Sequence, residues 1–174
     1  MSMNRVVDLS SYTAATLGPI PEFMEAAPAS SGLCGGAFLG RIFADFLKNT
    51  FGSHPRWSEV VQNSALDHFE SMKNDFTGDA DCKLAIPIHP LDNSPWIVDG
   101  RLTMSSSDVA NIIFEPVVSK VIELVIRQIQ ATNTNRATVE AVLLDGEFSE
   151  NDFLKRRLKE VIGKDIQVIT SQTR

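Results

Sequence analysis

VEAVLLDGEFSENDFLKRRL, residues 139–158, decides how this chain is read. VEAVLL is a short apolar run of the kind that forms a buried strand. It passes into a turn holding Asp145, Gly146 and Glu147, and an amphipathic stretch follows. Ser149, with Asp152 three residues on, predicts the start of a helix through a capping box, with Asp a weaker partner there than Glu. Gly163 predicts the helix end, and IQVIT (166–170) a final strand. A strand, a glycine turn and a helix N-terminus in sequence are the parts of an anion or nucleotide site. Here two carboxylates flank the one glycine, which raises the question of whether the turn still serves a nucleotide.

Working outward, RVVDL (5–9) reads as a short strand that SSYTAAT continues or pairs with, and the prolines of LGPIP (17–21) force a turn. FMEAAP (23–28) is a further strand, followed by the small-residue loop ASSGLCGG (29–36). In AFLGRIFADFLKNTFG (37–52), Phe38, Leu39, Ile42, Phe43, Phe46 and Leu47 recur at helical spacing, and Gly52 and Pro55 end the helix. Residues 58–76 are helical again, with Val60, Val61, Ala65, Phe69 and Met72 on the apolar side. KLAIPIHP and WIVDGRLTM form a hairpin across LDNSP. SSSD (105–108) supplies N-cap chemistry for a long helix through Ile129, in which Pro116 should start a new segment or a kink. The expected order, β-β-(β)-α-α-β-β-α-β-α-β, is that of an α/β protein with a mixed sheet packed by helices.

The 174 residues suffice for one domain with a sizeable core, and 43% hydrophobic and 22% charged residues are ordinary globular composition. A net charge of −6 argues against a nucleic-acid backbone or an anionic membrane as partner. The basic cluster Lys155-Arg156-Arg157 reads as a solvated helix face. Cys34 and Cys82 form neither a zinc pattern nor a disulfide framework, which suits reduced thiols and a cytoplasmic location. No segment reaches the roughly 18 apolar residues of a membrane span. His54, His68 and His89 share no metal-ligand spacing, and no Ser-His-Asp or Cys-His set can be assembled. Trp57 and Trp96 read as packing residues.

Three stretches carry a resemblance. EAAPASSGLCGGAFLGRIFADFL (25–47) resembles the segment of the 70-kDa heat-shock protein family that runs E-A-x-P-G-x-G-x-L-C-G-x-x-F-L before a helix, in its divergent, fungal-type members. FEPVV (114–118) is similar to that family's F-x-P-V-V, and LLDGEFSENDFL (143–154) to its L-V-G-G-F-S-E-S-P-x-L at the adenosine site. The three occur in the family's order over nearly the whole chain. The resemblance implies an actin-like ATPase (ribonuclease-H-like) fold, two lobes with ATP or ADP and magnesium between them, of which residues 1–174 match the second lobe, cut at both ends. VVDLSSY (6–12) looks like the tail of the second phosphate motif, D-x-G-G-G-T-V-D-L-I-S-Y, whose glycine run is not found within these residues.

Carried over residue by residue, Gly35 and Gly36 match the glycine pair whose backbone approaches the phosphates, where a side chain would block the approach. Glu70 and Lys73 match the E-x-x-K that reaches ribose and adenine. Asn74 stands where chaperone members place an arginine over the adenine, so a cation–π attraction of about 0.5–2 kcal/mol is lost. Gly146 matches the first glycine of the adenosine turn, Glu147 replaces the second, and Asp145 replaces an apolar residue.

Each position also has a plainer reading. Gly35-Gly36 is an ordinary turn before a helix. Glu70 and Lys73 are, on spacing alone, a surface ion pair of small value. Asp8 is an exposed strand-end aspartate, and Cys34 is structural. Two expectations follow. One is a fragment or degenerate form of a heat-shock-70-like ATP-binding domain, with weak or no ATP binding and no ATPase activity of its own. The other is a non-catalytic interaction module that self-associates or binds a protein through an uncovered lobe face.

Overall fold

The structure, a computed structural model, describes residues 6–16, 20, 22–135 and 137–171. The proline turn expected at 17–21 falls, Ile20 apart, outside them. Strands β1 (Val7–Thr16) and β2 (Glu22–Gly32) form a long antiparallel ribbon whose register shifts between Leu9 and Ser11, Ser11 and Tyr12, and Ala14 and Thr16. SSYTAAT therefore continues β1, and β2 takes in the first residues of the expected 29–36 loop. Helices α1 (Ala37–Phe51) and α2 (Glu59–Met72) follow. Ser58 caps α2, its side chain accepting from Val61 N–H at 3.3 Å. Residues Lys73–Asp75 tighten into a 3₁₀ turn.

Strand β3 (Leu84–Pro87) pairs antiparallel with β5 (Arg101–Met104), and the two-residue β4 (Ile97–Val98) pairs with the other edge of β5. The register sets Leu84 against Met104 and Ile86 against Leu102, so the period-2 alternation buries these four with Ile97. A short turn of helix, α3 (Ser106–Asp108), passes through a π segment (Val109–Phe114) into α4 (Glu115–Thr134) without a break. The widened turns precede Pro116, whose ring would clash with the Ile112 carbonyl in a regular helix. Pro116 thus distorts the helix where a new start or a kink was expected.

Strand β6 (Ala141–Leu144) and β7 (Gln167–Thr170) pair parallel, connected through a 3₁₀ turn (Glu147–Glu150) and α5 (Asp152–Ile162). Gly163 ends α5 at φ 93°. One expectation is corrected here. Asn151, not Ser149, caps α5, because residues 147–150 form the 3₁₀ turn and Ser149 N–H is spent on the Gly146 carbonyl at 3.0 Å.

The expected single mixed sheet is also corrected. Among the described residues the strands form three separate sheets, ordered β1-β2, β3-β5-β4 and β6-β7. Each is tied to the body through helices rather than through a shared ladder: α4 packs on β1 and β2, and α5 packs on β7. The core lies between them. Leu39, Phe43 and Leu47 of α1 meet Ala65 and Phe69 of α2, with the Phe43 and Phe69 ring centroids 4.4 Å apart. A second aromatic group, Phe76, Phe114 and Phe153, has centroids 4.5–5.6 Å apart and joins the end of α2 to the π segment and α5. Each such pair adds about 0.5–1.5 kcal/mol beyond its burial. Trp57 and Trp96 pack on Phe51 and Phe46 as expected.

Candidate functional site

The Gly35-Gly36 turn joins β2 to α1. Gly36 sits at ordinary helical angles (φ −54°, ψ −21°), so its reason for being glycine is space. A Cβ there would stand 3.3 Å from the Phe148 Cβ, in the turn after β6. Gly146 differs: at φ 94° and ψ 174° it occupies backbone that L side chains rarely adopt. The chain thereby reverses into the 147–150 turn and delivers Phe148 to Gly36. The side chain of Glu147 lies outside what the structure describes.

Glu70 and Lys73 lie one helical turn apart at the end of α2, with Nζ 2.6 Å from Oε2. The Lys73 side chain is only 6% exposed against 47% for Glu70, so the pair is half-sunk rather than a free surface pair. Sequence reasoning missed a supporting residue, Gly40 of α1. A Cβ at Gly40 would come within 2.6 Å of Glu70 Oε1. The signal was available, because a glycine inside a helix costs about 1 kcal/mol relative to alanine and calls for a packing reason. Asn74 follows Lys73 with its Oδ1 buried and without a hydrogen-bond partner among the described residues.

Asn151 completes the arrangement and was also missed. It is fully buried; Oδ1 accepts from Leu154 N–H at 2.9 Å, while Nδ2 faces the carbonyls of Lys73, Asn74 and Phe76 at 3.1, 3.3 and 3.2 Å. The contacts run Gly36 to Phe148, Asn151 to Lys73, Lys73 to Glu70 and Glu70 to Gly40. The sequence-predicted positions 35–36, 70–73 and 146–147 are therefore brought into one neighbourhood from three distant stretches.

Around it the charges are compensated. Lys155, Arg156 and Arg157 pair with Asp152 at 2.7 Å, Asp79 at 3.1 Å and Glu115 at 2.6 Å, and Arg157 also reaches Glu160 at 2.8 Å. Hydrogen bonds that Arg157 donates to Glu115 and then to Glu160 hold its guanidinium above the ordinary pKa. Asp145 is held below the usual carboxylate range, first by the Ser171 hydroxyl and then by the Gly146 backbone N–H. Cys34 is 2% exposed, and burial pushes its thiol pKa up, Lys120 opposing. Among the described residues no three His, Cys, Asp or Glu side chains gather as a metal site, and no helix is long and apolar enough to cross a membrane. The neighbourhood combines one glycine of unusual conformation with a half-sunk ion pair.

No protein-family model matches the chain, and no curated protein matches it.

Proposed function

We propose that the chain is the second lobe of a heat-shock-70-like, actin-like ATPase domain, in fragmentary or degenerate form, with weak or no ATP binding and no ATPase activity of its own. The observation that carries this reading is the convergence of the motif-matching stretches: Gly36 packs on Phe148, and Asn151 ties the 144–154 stretch to Lys73. Weak binding is supported by the departures from the motif, Asn74 for arginine, Glu147 for glycine and Asp145 for an apolar residue. In this reading Glu70, Lys73 and the Gly146 turn contact the adenosine, and the backbone at Gly35 and Gly36 approaches the phosphates. Among the described residues no acidic set gathers that could hold magnesium. A cytoplasmic location belongs to the same proposal.

The test is backbone NMR with ADP at millimolar concentration. Small shift changes centred on Gly35, Gly36, Glu70, Lys73 and Gly146 are expected. Changes centred elsewhere, or none, overturn the site assignment. A low-micromolar ATP affinity by calorimetry overturns the degenerate reading.

A second reading, a protein-interaction module, is favoured by one specific observation. The parallel pair β6-β7 leaves Leu143 66% and Ile169 43% exposed on one face. Parallel sheets are ordinarily covered on both faces. Concentration-dependent sedimentation that Leu143→Ser abolishes is the expected result, and a monomer at high micromolar concentration rejects it.

A further inference from the structure

Gln128, Thr132 and Asn135, on and just beyond α4, hold the β1-β2 ribbon as far as Ser11 and Ala26. Past the register shift between Ser11 and Tyr12 the ribbon runs on without cover, and residues 12–14 and 22–25 are all exposed. A two-stranded ribbon alone in water is marginally stable, and this one carries large apolar side chains on both faces. Tyr12 and Phe23 are each 64% exposed on one face, and Met24 is exposed on the other.

The register fixes which residues share the first face. Tyr12 stands opposite Glu25, and Ala14 opposite Phe23. Opposite residues, and residues two apart along a strand, point the same way, so the four make a square. The two rings occupy one diagonal, and a carboxylate and a methyl group the other. Diagonal positions lie about 7–8 Å apart, and Ala14 is too small to fill the gap beside Phe23. Among the described residues Glu25 forms no ion pair and no side-chain hydrogen bond.

Charge selects the occupant. Residues 6–32 hold Asp8, Glu22 and Glu25 and no Lys, Arg or His. A second copy of the ribbon would bring acid against acid, and the basic cluster of α5 is already paired with Asp152, Asp79, Glu115 and Glu160. The complementary group is a cation that also stacks. A guanidinium is planar, lies on ring faces and gives a carboxylate two parallel N–H groups, which a lysine ammonium does not. We propose that this face docks a basic segment of another protein, one arginine of which lies between Tyr12 and Phe23 and pairs with Glu25. The inference rests on the ribbon alone and on neither reading of the function given above.

Tyr12 is the one tyrosine of the chain, so ring-labelled tyrosine gives a single NMR reporter. The probe is a blocked hexapeptide alternating threonine and arginine, at low salt. It should shift the Tyr12 ring signals and the Phe23 and Glu25 amides, with an apparent Kd of about a millimolar, as suits exposed groups. The lysine version should bind about two- to five-fold more weakly, and the citrulline version, uncharged but of the same shape, should give no shifts at the same concentration. Glu25→Gln should weaken the arginine peptide about two- to five-fold, the range of an exposed ion pair. Phe23→Leu, which keeps an apolar side chain and removes the ring face, should do so by a similar factor. An unchanged urea midpoint shows each variant folded; where one is not, the three peptides on the wild type decide. Equal affinity for the lysine and arginine peptides, full affinity in folded Glu25→Gln or Phe23→Leu, or shifts centred away from the ribbon would overturn the proposal. So would Tyr12 signals that move with protein concentration alone, which would make a second copy the occupant.

Discussion

Asn151 donates through Nδ2 to the main-chain carbonyl of Lys73 at 3.1 Å, from 78 residues away in the sequence. The same amide caps α5 through Oδ1. One side chain thus fixes the start of α5 and the end of α2 relative to each other. Asn151→Ala should cost about 2–4 kcal/mol: about 1 for the lost cap and the rest for buried carbonyls left without a donor. Asn151→Asp keeps the cap but turns a carboxylate oxygen toward those carbonyls, and should be no better at neutral pH. Urea denaturation measures both, and a loss below about 1 kcal/mol for alanine would show the amide dispensable.

Gln128 does comparable work on the other side of the molecule. It is 5% exposed, accepts from Ser30 Oγ at 2.7 Å, and donates toward Ser11 Oγ at 3.0 Å and the Pro28 carbonyl at 3.1 Å. Thr132 Oγ1 lies 2.9 Å from the same Ser11 hydroxyl. Gln128→Leu should destabilise by about 0.5–1.5 kcal/mol, because the half-buried Ser11 and Ser30 lose their hydrogen bonds to the amide. Thermal or urea unfolding checks this, and an unchanged midpoint would mean that water replaces the amide.

Asp145 and Ser171 close the end of the β6-β7 pair. Since the folded pKa of Asp145 lies below its unfolded value, its contribution to stability is present above the unfolded value and is lost as pH falls through the folded one. Ser171→Ala removes the larger cause, so the Asp145 pKa should rise toward the ordinary carboxylate value while the Gly146 N–H keeps part of the shift. Carboxyl NMR titration of the two proteins reads this directly, and an unmoved pKa would assign the shift to the backbone alone.

The opening turn gives the nucleotide test. Glu147→Gly with Asn74→Arg should improve adenine-nucleotide binding. The arginine contributes about 0.5–2 kcal/mol of stacking, and loss of the carboxylate removes a repulsion of about 1 kcal/mol where water screens it. Adenosine should gain from the steric relief, and ATP from the charge change as well. Titration with a fluorescent nucleotide decides it. Equal affinity in both proteins, or no binding by either at millimolar ligand, would leave this turn a strand-to-helix connector.

Much of the local structure was legible. Phe38 through Leu47 gave α1 its apolar stripe, and VEAVLL and IQVIT gave two strands, but β6, expected to be buried, alternates between exposed and half-buried, with Leu143 66% exposed. The turn before α5 was misread because Ser149 and Asn151 are both good caps two residues apart. Only the buried carbonyls of residues 73–76 favour the asparagine, since serine has no second donor to give them. Gln128 and Thr132 continue the apolar stripe of α4 as polar residues, and nothing nearby in the sequence names their partners.

The sequence by itself determined the helices, most strands, a glycine turn at 145–147 and the absence of a long apolar span, because periodicity, capping and turn preference act within a few residues. Only the tertiary structure decided that Lys73 is buried while Glu70 is half-exposed, that Gly40 leaves room beside the carboxylate, that Asn151 bridges α5 to the end of α2, and that the strands among the described residues divide into three sheets. Those outcomes depend on which groups exclude water together. Burial and the hydrogen bonds it demands are settled between residues as far apart as Ser11 and Gln128, beyond the reach of local preference.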